Sequence, residues 1–429
     1  MTPQPLNIID ELSWRGLIHQ STEPEQLKHH LSQSRVVYAG FDPTAPSLHC
    51  GHLLPLMMLR RFQRAGHVPI ALVGGATGMI GDPSGKSEER VLLSPDVLAE
   101  NVAGMKAQMQ KYLQFDGPCS ARLVNNLDWM GGWSYIHFLR DVGKNFPVNV
   151  MLAKDSVKSR LERDDAGLSY TEFSYMLLQA YDFAHLSVNH DCTVQIGGSD
   201  QWGNITAGID LSRRMHGKHL FALTCPLLLT SDGRKMGKTE SGALWLDSRR
   251  TSPYAFYQYW LNVSDVDVLA CLRFLTEVDP QEYANLEQSL AEQPAERAAQ
   301  RRLASWMTEF IHGIEGLESA KRATEYLFGA EIANLSDEQL MEIFHDVPSG
   351  VIARSELDAG LLAVDAPVRV GLCKSKSEAR RSLEQGGVYV NNRRIESAEA
   401  ILTSKDLASQ SAMVLRVGKK RFAVLKVEG

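Results

Sequence analysis

The chain has few features of a secreted or membrane-bound protein. Its six cysteines are scattered and no two form a Cys-x-x-Cys pair, so the sequence offers no disulfide framework and no cysteine zinc motif. No apolar run approaches the ~20 residues of a membrane span. The N-terminus lacks the basic and apolar regions of a signal segment. These absences predict a cytoplasmic protein with reduced thiols and no membrane contact.

A net positive charge is also missing, although the charges are unevenly spread. The 429 residues carry 45 Lys and Arg against 51 Asp and Glu, a formal charge of −6. From Leu361 onward, thirteen Lys and Arg stand against seven Asp and Glu, so this part carries +6 and the preceding 360 residues carry −12. An acidic body with a basic end predicts one localised contact with a polyanion.

Buried strands alternate with amphipathic helices in the first half of the chain. Strand 35–41, helix 51–66 and strand 68–75 make one βαβ unit, and the same order of elements returns at 192–229. We therefore expect an α/β fold with a Rossmann-like, doubly wound parallel sheet. Ligands of such a sheet bind at the carboxyl ends of its strands.

Composition divides the rest of the chain into further regions. Pro and Gly cluster in one segment, which we assign as a linker, and a small basic α+β unit follows it. The predicted regions are a first domain at 1–250, with a helical insertion at about 85–190 and a loop at 232–242; a helical domain at 251–345; the linker at 346–367; and the α+β domain at 368–429.

The glycine-rich stretch GGATGMIGDPSGKS, residues 74–87, does not fit a P-loop. That motif needs a glycine five residues before its Gly-Lys-Ser glycine, and residue 80 is isoleucine. A Gly-x-Gly-x-x-Gly fingerprint is absent from both strand ends. A P-loop NTPase and an ordinary NAD enzyme are therefore excluded.

Two histidines lie at the start of the first helix, in the stretch His49-Cys50-Gly51-His52. A zinc site would need further ligands, and no second Cys/His pair has metal spacing. A purely structural pair is the other alternative. The N-terminal end of a helix carries partial positive charge and N–H groups, so donors there suit phosphate and ribose oxygens. Gly51 would let a purine lie against the backbone.

A second phosphate-binding element is expected, and the stretch DGRKMGKTESG at 232–242 provides it. Lys235 and Lys238 lie three residues apart on a glycine-rich loop after the last core strand. Alone, such a stretch could equally be a solvated basic turn. Together with the histidine pair it predicts a site that binds a polyphosphate.

These two elements, His-x-Gly-His and Lys-Met-x-Lys-Thr, resemble the joint signature of class I aminoacyl-tRNA synthetases. The segments YAGFDPTAPSLHCGHL, TEFSYMLLQAYDF and QIGGSDQWGNITAGID resemble the bacterial tyrosyl-tRNA synthetases in particular, and the resemblance covers nearly the whole chain. It implies activation of L-tyrosine with ATP and Mg²⁺ to tyrosyl adenylate and pyrophosphate, then transfer to the 3′-terminal adenosine of tRNA(Tyr). It also implies a homodimer with an interface near 130–165, tRNA binding by 251–345 and an αL-type RNA-binding domain at 368–429.

The resemblance further implies roles for individual residues, and no resident metal ion. The catalytic residues would be Thr44, His49, His52, Lys86, Arg90, Lys235, Lys238 and Thr239, with His52 on the adenosine side and the others, apart from Thr239, expected around the phosphates. The ATP site would add Gly40, Asp42, Gly51, Gly198 and Asp200. Tyrosine would be bound by Tyr38 and Asp182 at its hydroxyl and by Asp82, Tyr175, Gln179 and Gln201 around its ammonium group. RNA would contact Lys374, Lys376, Arg380, Arg381, Lys419 and Lys420.

The assignment of residues to tyrosine binding has independent support from the spacing of three of them. Tyr175, Gln179 and Asp182 stand at i, i+4 and i+7, which places them on one face of a helix. A polar stripe on an otherwise apolar helix faces a polar ligand or water, although satisfied polar core residues are the plainer alternative. Phenylalanine would leave Tyr38 and Asp182 unpaired.

Three other functions are compatible with parts of this pattern. A tryptophan-specific synthetase shares the fold but lacks the paired Tyr and Asp. An RNA-binding or regulatory protein on a synthetase scaffold would not need both signatures intact. A nucleotidyltransferase acting on a small molecule would leave the basic C-terminal domain without a purpose.

Overall fold

The computed structural model describes residues 7–84, 93–154, 157–158, 161, 167–239, 242–327, 329–333, 335–344, 347–418 and 421–429. They form two compact units. One comprises the described residues up to Asp247 together with Val263–Leu303, and the other comprises Ser248–Asn262 with the described residues from Ala304 onward. No helix within these residues is both long and apolar enough to cross a membrane.

The first unit is built on a six-stranded sheet, which confirms the predicted α/β class. Its strands are β1 Gln20–Ser21, β2 Val36–Phe41, β3 Val68–Val73, β4 Arg122–Asn125, β5 Cys192–Gly198 and β6 Phe221–Cys225. The spatial order is β1-β6-β5-β2-β3-β4, with β2 to β6 parallel and β1 antiparallel to β6. The strand order therefore reverses between β5 and β2, where a doubly wound sheet has its binding crevice.

Helices surround this sheet. They are α1 Ile8–Arg15, α2 Pro24–His30, α3 Leu53–Arg64, α4 Thr77–Ile80, α5 Pro95–Tyr112, α6 Leu127–Met130, α7 Tyr135–Asp141, α8 Val148–Leu152, α9 Tyr170–Asn189 and α10 Trp202–His216. Helix α3 begins after a 3₁₀ turn at Cys50–His52, and Pro55 is tolerated because it lies in the first turn. Helices α9 and α10 approach closely at Gly208, where an added Cβ would lie 3.0 Å from the Cβ of Phe183.

The prediction that 85–190 is a helical insertion outside the sheet is wrong in one respect. It contains β4, which pairs in parallel with β3 and forms an edge of the main sheet. Four residues are too few to show a clear alternation of apolar and polar side chains, so the sequence pattern did not distinguish this strand from the helices around it.

The second half of the chain begins with helices α11 Pro253–Leu261, α12 Asp265–Leu275, α13 Pro280–Glu292, α14 Ala298–Leu327 and α15 Asp337–Ile343. Gly313 has non-helical angles (φ 76°, ψ 176°) inside α14. The prediction grouped 251–345 as one helical domain, whereas α12 and α13 lie in the first unit. Helical periodicity does not reveal which core a helix joins, so the boundary differs.

The C-terminal part is a small α+β fold. Its strands are β9 Ser349–Ala353, β10 Leu361–Leu362, β11 Val388–Val390, β12 Arg393–Arg394, β13 Ile401–Leu402, β14 Ala412–Val417 and β15 Arg421–Glu428, and its helices are α16 Arg354–Asp358, α17 Ala366–Arg369 and α18 Lys376–Glu384. Five strands make one sheet in the order β12-β11-β14-β15-β9, and β10 pairs with β13 in a second. Leu383, Val388 and Leu415 belong to its buried core.

The predicted linker at 346–367 is therefore corrected. Strand β9 lies within it and pairs in parallel with β15. The Gly and Pro residues that indicated a linker serve the packing instead: a Cβ on Gly350 would lie 2.9 Å from the carbonyl oxygen of Arg369, and Pro367 lies in the first turn of α17.

Candidate active site

A cavity of about 710 Å³ opens at the carboxyl ends of β2, β5 and β6. The structure brings most of the predicted catalytic, ATP-binding and tyrosine-binding residues together around it. Those that line it are Tyr38, Gly40, Asp42, Thr44, His49, Gly51, His52, Asp82, Tyr175, Gln179, Asp182, Gly198, Asp200, Gln201, Lys235 and Lys238. Lys86 and Arg90 lie outside the described residues. Thr239 is described in its backbone only, in the short strand β7 Lys238–Thr239, which pairs with the short strand β8 Gly242–Ala243.

The two histidines form one compact donor pair. Nδ1 of His49 accepts the backbone N–H of Gly51 at 3.0 Å, and Nδ1 of His52 accepts the backbone N–H of His49 at 3.1 Å. Their rings stack with centroids 3.9 Å apart. Because both Nδ1 atoms act as acceptors, this network assigns the proton of each neutral imidazole to Nε2. Each ring can therefore donate one hydrogen bond from a fixed position.

A protein metal site is not evident at the cavity. Among the residues that the structure describes, no group of three or more His, Cys, Asp or Glu side chains is arranged to hold an ion. The histidine pair itself uses both Nδ1 atoms in capping the 3₁₀ turn.

Residues 229–239, which we call the lysine loop, pack directly on residues 49–52, which we call the histidine turn. Gly237, between the two lysines, has φ +79°, and a Cβ there would lie 2.2 Å from the Cβ of Cys50. The backbone N–H of Cys50 donates to the carbonyl of Leu244 at 2.9 Å, beyond the loop. These contacts explain two features of the sequence: residue 237 must be glycine, and Cys50 provides the small surface on which it rests.

The closed end of the cavity surrounds Asp182, which is 1% exposed. Its carboxylate accepts hydrogen bonds from Nδ2 of Asn126 at 3.0 Å and from Nε1 of Trp129 at 2.9 Å. Burial raises the pKa of Asp182 to about 7, against the lowering effect of these two hydrogen bonds.

Tyr38 lies at the same end of the cavity and is also buried. Its hydroxyl has no hydrogen-bond partner within the described part of the chain. Burial, with the nearby Asp182 charge, raises the pKa of Tyr38 well above its usual value, so the hydroxyl keeps its proton. A buried hydroxyl without a partner is costly, about 1–3 kcal/mol, which a ligand with a complementary polar group can offset.

Another polar part of the cavity is held by hydrogen bonds between side chains. Asp82 accepts from Nε2 of Gln201 at 2.7 Å and from the backbone N–H of Ser84 at 2.9 Å. Gln179 accepts from Nδ2 of Asn204 at 3.0 Å. The carboxylate and amide oxygens gathered here are acceptors, which suits an ammonium group.

Asp42 has a different environment from the one that the resemblance implied. Its carboxylate accepts from the hydroxyl of Tyr175 at 2.8 Å and from the hydroxyl of Thr77 at 2.7 Å. Thr77 in turn accepts from Asn126 at 3.0 Å. Asp42 therefore orients the side chains of Tyr175 and Thr77, and any contact with ATP stays a prediction.

Sequence reasoning missed Asn126, Trp129, Thr77, Asn204 and Gln195. Asn126 and Trp129 follow β4, the strand that the sequence pattern did not reveal. Gln195 could have been found, because it is the polar residue inside the apolar strand β5. It pairs in register with Tyr38, lines the cavity, and its buried Oε1 has no partner among the described residues.

The predicted RNA-binding cations lie in the second unit, at or beside α18. Lys374, Lys376, Arg380 and Arg381 are all exposed. The ammonium group of Lys376 lies 2.7 Å from the carboxylate of Asp365. Lys419 and Lys420 lie outside the described residues.

Comparisons with known proteins agree with this arrangement. Residues 32–329 match the family described as tRNA synthetases class I (W and Y), and residues 339–425 match the tyrosine–tRNA ligase SYY-like C-terminal domain. The chain is 60% identical to the tyrosine–tRNA ligase of Rhodopirellula baltica over 98% of this chain and 97% of the relative, and 51% identical to that of Roseiflexus castenholzii over 98% and 99%. A C-terminally truncated mitochondrial tyrosyl-tRNA synthetase of Aspergillus nidulans is similar in structure, with a TM-score of 0.68, 31% identity and coverage of 76% of this chain and 95% of that one.

Proposed function

The chain belongs to the tyrosine–tRNA ligases of class I, and on this premise we propose that the cavity described above binds tyrosine and ATP side by side. The enzyme activates L-tyrosine with ATP, which yields tyrosyl adenylate and pyrophosphate. It then transfers the tyrosyl group to the 3′-terminal adenosine of tRNA(Tyr). The proposal is supported chiefly by one observation: two signature segments about 190 residues apart in sequence meet at one cavity.

In the activation step a carboxylate oxygen of tyrosine attacks the α-phosphorus of ATP. A new O–P bond forms, the bond to the departing oxygen breaks, and pyrophosphate leaves with its electrons. No covalent bond to the enzyme is needed, so catalysis consists of positioning and stabilisation of developing charge. In our proposal Thr44, His49, Lys235 and Lys238 supply hydrogen-bond donors to the phosphates. Mg²⁺ would arrive with ATP, because it prefers phosphate and water oxygens.

In the same proposal the closed end of the cavity selects tyrosine by its hydroxyl group. That hydroxyl would donate to Asp182 and accept from Tyr38, which would satisfy the buried Tyr38 hydroxyl. The substrate ammonium group would lie among the oxygens of Asp82, Gln179 and Tyr175. Phenylalanine would leave the Tyr38 hydroxyl without a partner and would offer no donor to Asp182 beyond Asn126 and Trp129. Tyrosyl enzymes are an established example of this form of discrimination.

The test is tyrosine-dependent exchange of pyrophosphate into ATP, run in parallel with tryptophan and phenylalanine. We expect exchange with tyrosine only. Asp182→Ala should abolish it. Asp116→Ala removes an exposed aspartate that does not line the cavity, so it should leave exchange unchanged. Exchange that depends equally on tryptophan, or that survives in Asp182→Ala, would contradict the assignment of this pocket.

We also propose that the enzyme is a homodimer. Within the predicted interface region, Tyr135 and Ile136 are 62% and 69% exposed, and Val148 is 58% exposed. Tyr170, close by in sequence, is 62% exposed and its hydroxyl lies 3.2 Å from that of Tyr135. Several large apolar side chains on one surface favour a protein partner. Sedimentation at micromolar concentration should give a dimer, and a monomer would refute this.

The C-terminal unit is proposed to bind tRNA through α18. The exposed Lys374, Arg380 and Arg381 supply positive charge suited to phosphate contacts, and Lys376 shares its charge with Asp365. Binding through phosphates weakens as salt rises. Arg380→Ala combined with Arg381→Ala should raise the Kd for tRNA(Tyr) and flatten its dependence on salt. The variant should leave exchange of pyrophosphate unaffected.

A cytoplasmic location completes the proposal. All six cysteines are free thiols, and five of them are buried. Such thiols persist most readily in a reducing compartment. Fractionation of cells that express the chain should find it with the cytoplasmic proteins, and recovery from the membrane or an exported fraction would count against this.

A further inference from the structure

We propose that helix α12 holds the lysine loop in place and that Asp267 is a positioning residue for the ATP reaction. The inference depends on the proposed roles of Lys235 and Lys238 at the phosphates. It concerns residues that neither signature contains, and four sets of contacts within the first unit support it.

The first contact is made by the carboxylate of Asp267. One oxygen accepts the backbone N–H of Ser231 in the loop at 2.8 Å, and the other accepts the hydroxyl of Ser264 at 2.8 Å. Ser264 is the N-cap of α12, and Asp267 stands at the third helical position. A carboxylate at this position commonly accepts a hydrogen bond from the backbone N–H of the cap residue. Here it bridges the helix to the loop instead.

The second contact lies one helical turn further on. The Sγ of Cys271 is 3.6 Å from the Sδ of Met236, and both residues are buried. Residues 267 and 271 are at i and i+4, so they share one face of α12. That face therefore contacts the loop at Ser231 and again at Met236, which is the residue next to Lys235.

The loop between these two contacts is a compact turn. The backbone N–H of Thr230 donates to the carbonyl of Arg234 at 2.8 Å, and that of Gly233 donates to the carbonyl of Thr230 at 2.8 Å. Leu229 and Lys235 form an antiparallel bridge. Because the turn is internally bonded, a shift at Ser231 is transmitted to Lys235 rather than absorbed between them.

The far end of α12 is fixed to the helix that follows the histidine turn. Nη2 of the buried Arg61, in α3, donates to the carbonyl of Thr276 at 2.8 Å. Arg15 donates to the carbonyls of Arg273 at 3.0 Å and Val278 at 3.2 Å. Cations at the C-terminal end of a helix also complement its dipole. Helix α12 is thus tied to α3, and through α3 to the histidines.

Together with the contact of Gly237 on Cys50, these bonds form a closed ring of histidine turn, α3, α12 and lysine loop. The ring sets the distance between the histidine donors and the lysines. Loss of the Asp267 side chain removes one of the two contacts described above between α12 and the loop. We expect Asp267→Ala to reduce kcat/KM for ATP about fivefold to tenfold, which is less than the full contribution of a hydrogen bond to a charged acceptor because the contact of Cys271 with Met236 remains. The KM for tyrosine should not change, because α12 does not line the tyrosine pocket.

The experiment uses the full chain and measures pyrophosphate exchange with ATP and tyrosine varied separately. Asp267→Asn keeps an oxygen that can accept from Ser231 and should recover most of the activity. Ser264→Ala is the matched control, because it removes the cap of α12 and leaves the loop contact in place. Limited digestion with trypsin, which cleaves after the exposed Arg234 and Lys235, reports on the loop without requiring catalysis.

The proposal predicts faster cleavage at Arg234 and a lower kcat/KM for ATP in Asp267→Ala than in Ser264→Ala. If both variants behave alike in these two measurements, Asp267 acts only as a helix cap and the proposal is wrong. Absence of tyrosine-dependent exchange in the unaltered enzyme would refute the proposed function instead. In that case cleavage at Arg234 still decides whether Asp267 holds the loop.

Discussion

The hydrogen bond from Trp129 to Asp182 leads to a prediction about pH. Trp129→Phe removes the indole donor and keeps most of the ring. The bond favours the ionised carboxylate, so its loss should raise the pKa of Asp182 above the present value of about 7. A hydrogen bond to a charged group contributes about 1.5–3 kcal/mol, and one pKa unit corresponds to about 1.4 kcal/mol. We therefore expect a rise of about one to two units.

The consequence for the enzyme follows from the proposed role of Asp182 as the acceptor of the substrate hydroxyl. The KM for tyrosine should be low where the carboxylate is ionised and should rise as the pH falls through its pKa. In the unaltered enzyme this rise should begin near pH 7. In Trp129→Phe it should begin near pH 8 to 9, so at pH 7.5 the variant binds tyrosine more weakly.

Other ionisable groups near Asp182 do not obscure this result. Asp42 is a negative neighbour whose charge also raises the pKa of Asp182. Tyr38 keeps its proton throughout, because burial raises its pKa. His185 stacks on Trp129 with ring centroids 4.4 Å apart, and burial lowers its pKa below the usual 6.5. A range of pH 6.5 to 9 is therefore suitable.

The assay is tyrosine-dependent exchange, with the KM for tyrosine and for ATP determined at each pH. Trp133→Phe is the matched control, because that ring contacts Phe138 and Tyr181 edge-on instead of Asp182. Its profile should equal that of the unaltered enzyme. A profile for Trp129→Phe that stays in place, or that moves to lower pH, would show that the indole does not stabilise the charged carboxylate.

Three further predictions concern the two signatures and helix α3. Lys235→Ala and Lys238→Ala should each lower kcat for exchange about 10²–10³-fold, with little change in the Kd for tyrosine as measured by equilibrium binding. Gly237→Ala should displace the loop, because the left-handed backbone costs about 1–3 kcal/mol for a residue with a side chain and the new Cβ would meet Cys50. It should raise the KM for ATP, and Cys50→Gly in the same chain should restore part of the loss. Arg61→Ala should lower the free energy of unfolding by about 0.5–1.5 kcal/mol in urea denaturation, because the carbonyl of Thr276 loses one buried hydrogen bond and keeps the one from Arg15 at 3.1 Å; an unchanged midpoint would contradict the role given to this contact.

Several parts of the fold and site followed from local patterns. Apolar strands alternating with amphipathic helices predicted the parallel sheet and the edge at which it binds ligands. The spacing of Tyr175, Gln179 and Asp182 predicted one polar face on a helix, and all three line the cavity in the structure. These features are encoded within stretches shorter than about twenty residues, so periodicity and residue type are enough to recognise them.

Other parts depended on contacts between distant segments. Asn126 and Trp129 reach Asp182 only because β4 joins the edge of the sheet, and four residues were too few to predict that strand. The linker prediction failed for a similar reason, since β9 acquires its identity by pairing with β15. In both cases the strand is defined by its partner more than by its own sequence.

By itself, the sequence determined the fold class, the two signatures and the residue types around the substrates. The reason is that the residue type at a position fixes which functional group is present there. The tertiary structure alone decided how those residues are held: Gly237 against Cys50, two donors on the buried Asp182, and α12 between the histidine and lysine segments. The physical reason is that burial, hydrogen-bond partners and pKa are properties of a surrounding assembled from remote parts of the chain. A local sequence pattern therefore does not predict them.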